Sequence, residues 1–243
     1  MNLLFVGGLD PLGRAGLLVD RRIAEGLGCS SVTVCSAVTA QDDHRAMAEP
    51  VSIDLFTEQL AVAFASSPST VVKTGWLASA EQVDALLAVL PSALPLVVDP
   101  LLGTSSGLRV YGDDPRGPAY RRLMARADLL TPNLPEAEAL LGRPVDDPAE
   151  AASAIRLLGA RAVLIKGGHG SGDQLTDLLL HGDGDVLLLR HERLPGRHRG
   201  TGCRLAAGVA ARLARGQELE DALRGSTDFL LAELASAAGL ERS

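Results

Sequence analysis

Residues 70–100 read TVVKTGWLASAEQVDALLAVLPSALPLVVDP. Two short apolar runs in this stretch, Thr70–Thr74 and Leu94–Asp99, flank a longer amphipathic segment near residues 79–89. Both runs are rich in Val or Leu and are continuous rather than alternating, a pattern typical of strands that are buried on both faces. A strand, a helix and a second strand in this order predict two parallel strands of one sheet.

The same alternation continues outward from this stretch in both directions. Further strands are predicted at Asn2–Val6, Ser31–Val38, Asp128–Thr131, Ala162–Lys166 and Asp185–Leu189, and further helices near residues 14–27, 53–66, 115–126, 134–142, 148–158, 202–214 and 218–238. This order is typical of an α/β fold with a mainly parallel, doubly wound sheet that is covered by helices on both sides. We find no internal repeat or linker, so residues 1–243 are expected to form one domain.

The composition argues against several classes of partner. The chain carries 23 basic and 30 acidic residues, a net charge of −7, so neither a nucleic acid nor an anionic membrane is an expected partner. Three cysteines form no disulfide framework. Met1–Gly8 is too short for a signal peptide and lacks a basic flank. The most apolar long stretch, Leu86–Leu102, is interrupted by prolines and Asp99 and is no spanning helix. We therefore expect a cytoplasmic protein.

Polar residues and glycines collect where the predicted strands end. These strand-end segments are Gly7-Gly8-Leu9-Asp10, Thr39-Ala40-Gln41, Lys73-Thr74-Gly75-Trp76, Asp99-Pro100, Thr131-Pro132-Asn133 and Lys166-Gly167-Gly168-His169. In parallel sheets, ligands bind in the crevice beyond the carboxyl ends of the strands. This edge of the sheet is therefore the predicted binding site.

The segment Gly200-Thr201-Gly202-Cys203 opens a predicted helix whose first turns are small. The exposed backbone N–H groups and the positive end of the dipole at such a helix start make an anion-binding site. We expect the same dipole to bias the Cys203 thiol towards thiolate. The alternative is a glycine turn before a packed helix, with an inert, buried cysteine.

Candidate metal ligands follow two other strands. Asn133 and Glu136 have the spacing of a helix capping box, but an amide and a carboxylate that face the crevice can also organise the water shell of Mg²⁺. The two uses compete for the Glu136 carboxylate. Asp99 ends a buried strand and is either hydrogen-bonded structurally or faces metal and phosphates. His169 and His198 lack partners at metal-ligand spacing, which argues against zinc.

Other strand-end residues suit a flat ligand and a phosphate. Gln41 offers one acceptor and two donors to the edge of a heteroaromatic ring, or is an ordinary polar residue of the surface. Trp76, the only tryptophan, can stack on a flat substrate or belong to the core. Lys73 and Lys166 are the only lysines, and both end an apolar run. Chance explains two such positions, or they favour a compact ammonium over a guanidinium.

Taken in order, these segments resemble the hydroxymethylpyrimidine/phosphomethylpyrimidine kinases of thiamine biosynthesis, within the ribokinase-like superfamily. The matching segments are Gly7 to Gly16, Thr39 to Gln41, Lys73 to Leu77, Val98 to Pro100, Thr131 to Leu140, Lys166 to His169 and Gly200 to Cys203. The resemblance implies a three-layer α/β/α ribokinase-like fold. It also implies that ATP and Mg²⁺ phosphorylate the hydroxymethyl group of 4-amino-5-hydroxymethyl-2-methylpyrimidine, with the monophosphate as a further candidate acceptor.

The resemblance implies roles for single residues as well. Those that would line the pyrimidine pocket are Gln41, which pairs with the aminopyrimidine, Gly8, Ala15, Trp76 and Leu101. Those that would catalyse are Cys203, the base where most sugar kinases of the superfamily carry aspartate, and the anion hole of Gly200, Thr201 and Gly202. Those on the nucleotide side are Lys166, Asn133 and Thr131 for phosphates, and Glu136 and Asp99 for Mg²⁺.

Four departures from the family pattern leave the acceptor open. Leu9, Arg14, Trp76 and Arg199 stand where the family usually has Ser or Thr, Gly, Met and His. A pyridoxal kinase of the same superfamily is the enzymatic alternative, and a non-catalytic, pyrimidine-binding regulatory protein is the alternative of another class. The resemblance also implies a homodimer, and residues 102–116 are a candidate flap over the site.

Overall fold

The computed structural model describes residues 1–42, 46–66, 68–102, 114–167, 173–193 and 198–237. The strands within these ranges are β1 (Asn2–Leu9), β2 (Ser30–Gln41), β3 (Ala46–Pro50), β4 (Val71–Thr74), β5 (Leu96–Val98), β6 (Leu129–Leu130), β7 (Val163–Ile165), β8 (Gln174–His181) and β9 (Asp185–Glu192). The helices are α1 (Gly16–Gly26), α2 (Ile53–Ser66), α3 (Ala80–Val89), α4 (Pro118–Arg126), α5 (Leu134–Leu141), α6 (Pro148–Arg156), α7 (Thr201–Ala214) and α8 (Leu219–Ala237).

The strands form one sheet in the order β3-β2-β1-β4-β5-β6-β7-β8-β9. All neighbours from β2 to β7 are parallel, whereas β3 at one edge and β8 and β9 at the other are antiparallel. Because β1 lies between β2 and β4, the sheet grows in both directions from the first strand. The predicted mainly parallel, doubly wound sheet is confirmed.

Two strands, β3 and β8, are absent from the sequence prediction. The β3 sequence AMAEP has small residues and ends in Pro50, which is tolerated because β3 is an edge strand. The β8 sequence QLTDLLLH leads into the turn Gly182-Asp183-Gly184, which is a hairpin signal. An expectation of strict β-α alternation leaves no room for that hairpin.

Helices cover both faces of the sheet because both faces are apolar. Leu3 and Phe5 of β1 are buried under α1, α7 and α8, and Leu4 and Val6 are buried on the opposite face, which α2 to α6 cover. The result is the three-layer α/β/α arrangement. None of the helices in the described residues combines the length and apolar composition needed to cross a bilayer.

The parallel direction of the central strands determines where polar residues meet. β1, β4, β5, β6 and β7 all end at the same edge of the sheet, so the residues that follow them lie along one crevice. Asp99 follows β5, Thr131 follows β6 and Lys166 follows β7. Helix α7 begins at this edge too, because a Cβ on Gly202 in its first turn would lie 2.9 Å from Lys166 Nζ.

Candidate active site

Helix α7 begins with a structure suited to an anion. Its N-cap, Gly200, has a φ of 70°, in the left-handed region that favours glycine, and a Cβ there would overlap the carbonyl oxygen of Arg14. In the part of the chain that the structure describes, no side chain caps this helix. Its first N–H groups can therefore bind a ligand, and the dipole adds positive potential.

Charged side chains surround the first turn of α7. Lys166 Nζ lies 2.8 Å from Asp99 Oδ1 and 3.8 Å from Glu136 Oε2. Thr131 Oγ1 donates a hydrogen bond to the same Asp99 oxygen at 3.0 Å. A Cβ on Gly202 would lie 2.9 Å from Lys166 Nζ and 3.7 Å from Asp99 Oδ2. The missing side chain at position 202 therefore lets this charged cluster approach the backbone of α7.

Burial and charge act on these groups in opposite directions. Burial acts to raise the pKa of Asp99, but Lys166 and Lys73 outweigh it and hold that pKa below its ordinary value. Burial acts to lower the pKa of Lys166, yet the Asp99 and Glu136 carboxylates raise it. Burial raises the pKa of Glu136 to about 7, although Lys166 opposes the rise. At neutral pH, Asp99 and Lys166 are therefore charged, whereas Glu136 is partly protonated.

Glu136 caps helix α5 and faces Lys166 with the same carboxylate oxygen. Asn133 Oδ1 accepts a hydrogen bond from the Glu136 backbone N–H, and Glu136 Oε2 accepts one from the Asn133 backbone N–H, each at 2.8 Å. The capping box predicted from the spacing is therefore present. It fixes the Glu136 side chain beside the Lys166 ammonium and does not turn it away from the crevice.

The surroundings of Asp99 fit a hydrated Mg²⁺. Asp99 Oδ2 is buried and has no hydrogen-bond partner among the described residues. A buried carboxylate oxygen is costly unless a cation or a donor serves it. Within the described ranges, no three His, Cys, Asp or Glu side chains form a metal-binding cluster. A cation here would therefore take most ligands from water and phosphate, as Mg²⁺ does.

A cavity of about 240 Å³ lies beside Lys166 and the start of α7. Lys166, Thr201 and Gly202 line its polar end beside the charged cluster. The rest of its lining is a wall of Leu175, Leu205, Leu230, Leu231 and Leu234, together with the polar residues Glu192, Arg193, His198 and Thr227. Asp177 and His191 also line it, and their contact at 3.4 Å raises the pKa of His191. A larger groove of about 630 Å³ is lined by β9 and α8 alone and is further from the charged cluster. The leucines of this wall cannot be recognised as cavity residues from the sequence, because leucines on strands and helices are ordinary core residues.

Gly8, Trp76 and Leu101 come together at the end of β1. Trp76 is 6% exposed and packs against Ala37 and Leu101. Its Cε3 atom lies 3.1 Å from the position that a Cβ on Gly8 would occupy. Trp76 is therefore mainly a wall beneath Gly8, and only a small part of its indole ring is left for a ligand.

Ala15 packs against the start of α7, and the end of β2, which carries Gln41, is joined to the loop before that helix. A Cβ on Gly200 would lie 3.2 Å from the Ala15 Cα, so these two backbones are packed together. Gln41 ends β2 and is half-buried. Arg199 Nη2 donates to the carbonyl oxygen of the next residue, Asp42, at 2.8 Å. The arginine at position 199 thus ties the end of β2 to the loop that precedes α7.

Cys203 lies in the core beneath the start of α7. Its residue is 5% exposed and packs among residues of α1, α7 and the sheet. Burial raises the pKa of its thiol to about 11, and Lys73 and the backbone N–H of Gly16 offset that rise only in part. The expectation that the helix dipole favours the thiolate is wrong for this state, because burial outweighs it.

Comparison with known proteins identifies the family. The family model described as phosphomethylpyrimidine kinase matches residues 10–243. The chain belongs to this family. The kinase is 35% identical to the hydroxymethylpyrimidine/phosphomethylpyrimidine kinase of Rhizobium meliloti. The alignment spans 246 residues and covers 98% of this chain and 92% of that relative.

Two solved structures place the kinase among enzymes of the same fold. A phosphomethylpyrimidine kinase from Clostridium difficile matches with a TM-score of 0.79 and 27% identity, over 96% of this chain and 99% of that one. A pyridoxal kinase from Staphylococcus aureus, in complex with AMP-PCP and pyridoxal, matches with a TM-score of 0.82 and 27% identity, over 95% of this chain and 86% of that one.

The family and the ribokinase-like fold predicted from the ordered motifs are confirmed, and the chain is an ATP-dependent kinase. The alternative of a non-catalytic regulatory protein is therefore set aside. The roles of single residues stay predictions. Gly168, His169 and most of the candidate flap, residues 103–113, lie outside the described residues.

Proposed function

We propose that the kinase transfers the γ-phosphoryl group of ATP to the hydroxymethyl group of 4-amino-5-hydroxymethyl-2-methylpyrimidine in thiamine biosynthesis, and that the monophosphate is a further acceptor. The convergence of Lys166, the backbone around Gly202 and the Asp99 carboxylate supports this proposal most directly. A cavity adjoins this cluster, and the wall formed by Gly8 and Trp76 lies at the ends of β1 and β4 in the same sheet.

The cavity of about 240 Å³ suits the nucleotide. Its polar end offers the Lys166 ammonium and the first backbone N–H groups of α7, which are groups that bind phosphates. Its leucine wall offers an apolar surface to a flat base. Thr131 and Asn133 support the nucleotide side indirectly. Thr131 orients the Asp99 carboxylate, and Asn133 orients the Glu136 carboxylate.

Mg²⁺ would bind at Asp99 and Glu136, where it would neutralise charge on the phosphates. Asp99 supplies an unpartnered carboxylate oxygen among the described residues. Glu136 supplies a carboxyl whose pKa of about 7 lets it ionise at neutral pH. Lys166 lies between the two carboxylates, where its ammonium would also be within reach of a phosphate.

The remaining residues position the acceptor and take its proton. In the reaction, the acceptor oxygen forms a bond to the γ-phosphorus and the bond to the leaving ADP oxygen breaks. The hydroxyl proton passes to the Cys203 Sγ, which must first release its own proton to solvent, because burial keeps this thiol protonated at neutral pH. Phosphoryl transfer has a loose transition state, so positioning and charge stabilisation dominate. The backbone N–H groups around Gly202 therefore contribute more to the rate than the base, which is worth about 10²–10⁴-fold at most.

Pyridoxal is the second candidate acceptor, because the matched Staphylococcus aureus structure is a pyridoxal kinase with a TM-score of 0.82. Both candidates are flat rings that bear a hydroxymethyl group. Parallel coupled assays of ADP release with each acceptor separate them, and we expect the higher kcat/KM with the pyrimidine. A higher value with pyridoxal would reverse the assignment.

Cys203→Ala should lose kcat with a modest change in pyrimidine affinity, whereas unchanged turnover would remove the base role.

We also propose that residues 1–243 act as one domain, that the kinase is a homodimer and that it works in the cytoplasm. The continuous sheet supports the first point, and the family resemblance motivates the second. The three free cysteines suit a reducing compartment. Light scattering of the purified chain tests the dimer, because a monomeric mass would contradict it.

A further inference from the structure

A second buried ion pair, formed by Lys73 and Asp20, lies outside the contacts assigned above. Lys73 Nζ is 2.8 Å from Asp20 Oδ2, and both side chains are 1% exposed. Lys73 is on β4 and Asp20 is on α1, so the pair joins the sheet to its covering helix. Lys73 is also one of only two lysines in the chain, and the other, Lys166, belongs to the candidate active site.

The pair lies beneath the helix that carries Cys203, because α7 packs on both α1 and β4. The start of α1 at Gly16 lies against the start of α7, because a Cβ on Gly200 would lie 3.2 Å from the Cα of the preceding residue, Ala15. Asp20 is four residues after Gly16 on the same helix and therefore lies on the same helix face, one turn below. The Lys73 ammonium extends towards the strand end, because a Cβ on Gly75 would lie 3.3 Å from its Nζ. Asp20 and Lys73 are thus buried on the two elements against which the Cys203 helix packs.

Stability does not explain why this pair is present. Removing two charges from water is expensive, and replacing a buried ion pair by apolar residues is often neutral or stabilising. Burial raises the pKa of Asp20 to about 6 despite the opposing effect of Lys73, and Asp20 Oδ1 has no hydrogen-bond partner among the described residues. The fold therefore carries a costly charge pair next to a nucleophilic side chain.

We propose that the Lys73–Asp20 pair sets the reactivity of Cys203, with the Lys73 ammonium as the counter-charge of the thiolate and Asp20 as the group that moderates it. This inference rests on the proposed base role of Cys203. Four charged groups act on the sulfur: Lys73 and Lys166 favour the thiolate, and Asp20 and Asp99 oppose it. Lys73 has the largest favourable effect that opposes burial. Lys73 and Asp20 are positioning residues, because they act through Cys203.

The test is the rate at which iodoacetamide alkylates Cys203 at neutral pH, read as the mass of its peptide. Lys73→Met should slow the reaction about tenfold, because one unit in the pKa of the thiol changes the thiolate fraction tenfold. Asp20→Asn should accelerate the reaction about threefold, which corresponds to roughly half a unit in the pKa of the thiol. Opposite signs are the decisive result, since a merely structural role would change both variants in the same direction.

Controls separate this inference from folding and from the proposed function. Cys35, whose pKa reflects burial and backbone groups of Ala37 and Leu9, serves as the internal standard and should react equally in all proteins. The double variant Asp20→Asn/Lys73→Met removes both charges and should fold as well as the wild type. Its Cys203 should be alkylated more slowly than that of the wild type, and its kcat should be lower. Equal Cys203 rates in all proteins overturn the inference, even where the wild type phosphorylates the pyrimidine. Because alkylation needs no turnover, the inference can hold even where no pyrimidine is phosphorylated.

Discussion

Gly202 shows how one absent side chain organises the charged cluster. Its Cα is the point where the backbone of α7, the Lys166 ammonium and the Asp99 carboxylate approach each other. Asp99 is held by the Thr131 hydroxyl and cannot shift easily, whereas Lys166 ends in a flexible chain. A side chain at position 202 would therefore displace the lysine first.

We predict that Gly202→Ala lowers kcat/KM for ATP by roughly 10²-fold, because a displacement of about 1 Å in a positioned group has that effect. The fold should survive, since the contact at 2.9 Å is to the far end of a flexible side chain. Gly26→Ala is the matched control, because its Cβ would meet only Phe229 Cζ at an ordinary 3.5 Å. Equal steady-state kinetics for the two variants would contradict the assigned role of position 202.

At the scale of elements, the helix starts differ in what satisfies their N–H groups. Helices α5 and α6 are capped by Asn133 and Asp147, with Asp147 Oδ1 accepting from the Ala149 N–H at 2.9 Å. Helix α7 has no such cap among the described side chains. The α5 cap is also special, because its partner Glu136 faces Lys166.

Asn133→Ala and Asp147→Ala should each lower the free energy of unfolding by about 1 kcal/mol, the usual effect of losing an N-cap. Only Asn133→Ala should also raise the apparent KM for Mg-ATP, because it releases Glu136 beside Lys166. Chemical denaturation measures the first effect and initial rates measure the second. If both variants kept wild-type KM values, Glu136 would have no part in binding Mg-ATP.

Apolar patterning predicted most of the elements from the sequence, and the strand-end rule predicted part of the site. Continuous apolar runs marked the parallel strands, and the rule correctly placed Asp99 and Lys166 in one crevice. β8 was missed because it departs from β-α alternation. Asp20 was missed because a carboxylate within a helical segment looks like a solvent-facing residue. Its burial depends on the packing of α1 against β4, which no local pattern records.

At the scale of the molecule, five ionisable groups are buried or nearly buried near the crevice, in a pair formed by Asp20 and Lys73 and a cluster formed by Asp99, Glu136 and Lys166. Such a group of charges weakens a small domain's net stability, because each charge loses its hydration on folding. The kinase accepts this loss at the place where phosphate charge must be handled. Its pH dependence of stability should reveal the loss.

The wild type should lose stability relative to the double variant Asp20→Asn/Lys73→Met as the pH rises from about 4 to about 6. The pKa of Asp20 is raised from 3.8 to about 6, so the folded state keeps a proton in this window that the unfolded chain releases. The relative loss is at most about 3 kcal/mol, from roughly two pKa units. Urea unfolding at several pH values measures it, and parallel curves for the two proteins would contradict the raised pKa.

The order of synthesis adds a consequence to the position of α7. This helix packs on β1, β4 and β5, yet the ribosome makes it after all of the strands in the described residues. A nascent chain that stops before residue 201 therefore has α1 over Leu3 and Phe5 but lacks α7, so part of this apolar face is left uncovered. Gly202 and Cys203 arrive on that same helix, so shielding of the sheet and arrival of the predicted catalytic residues coincide during translation.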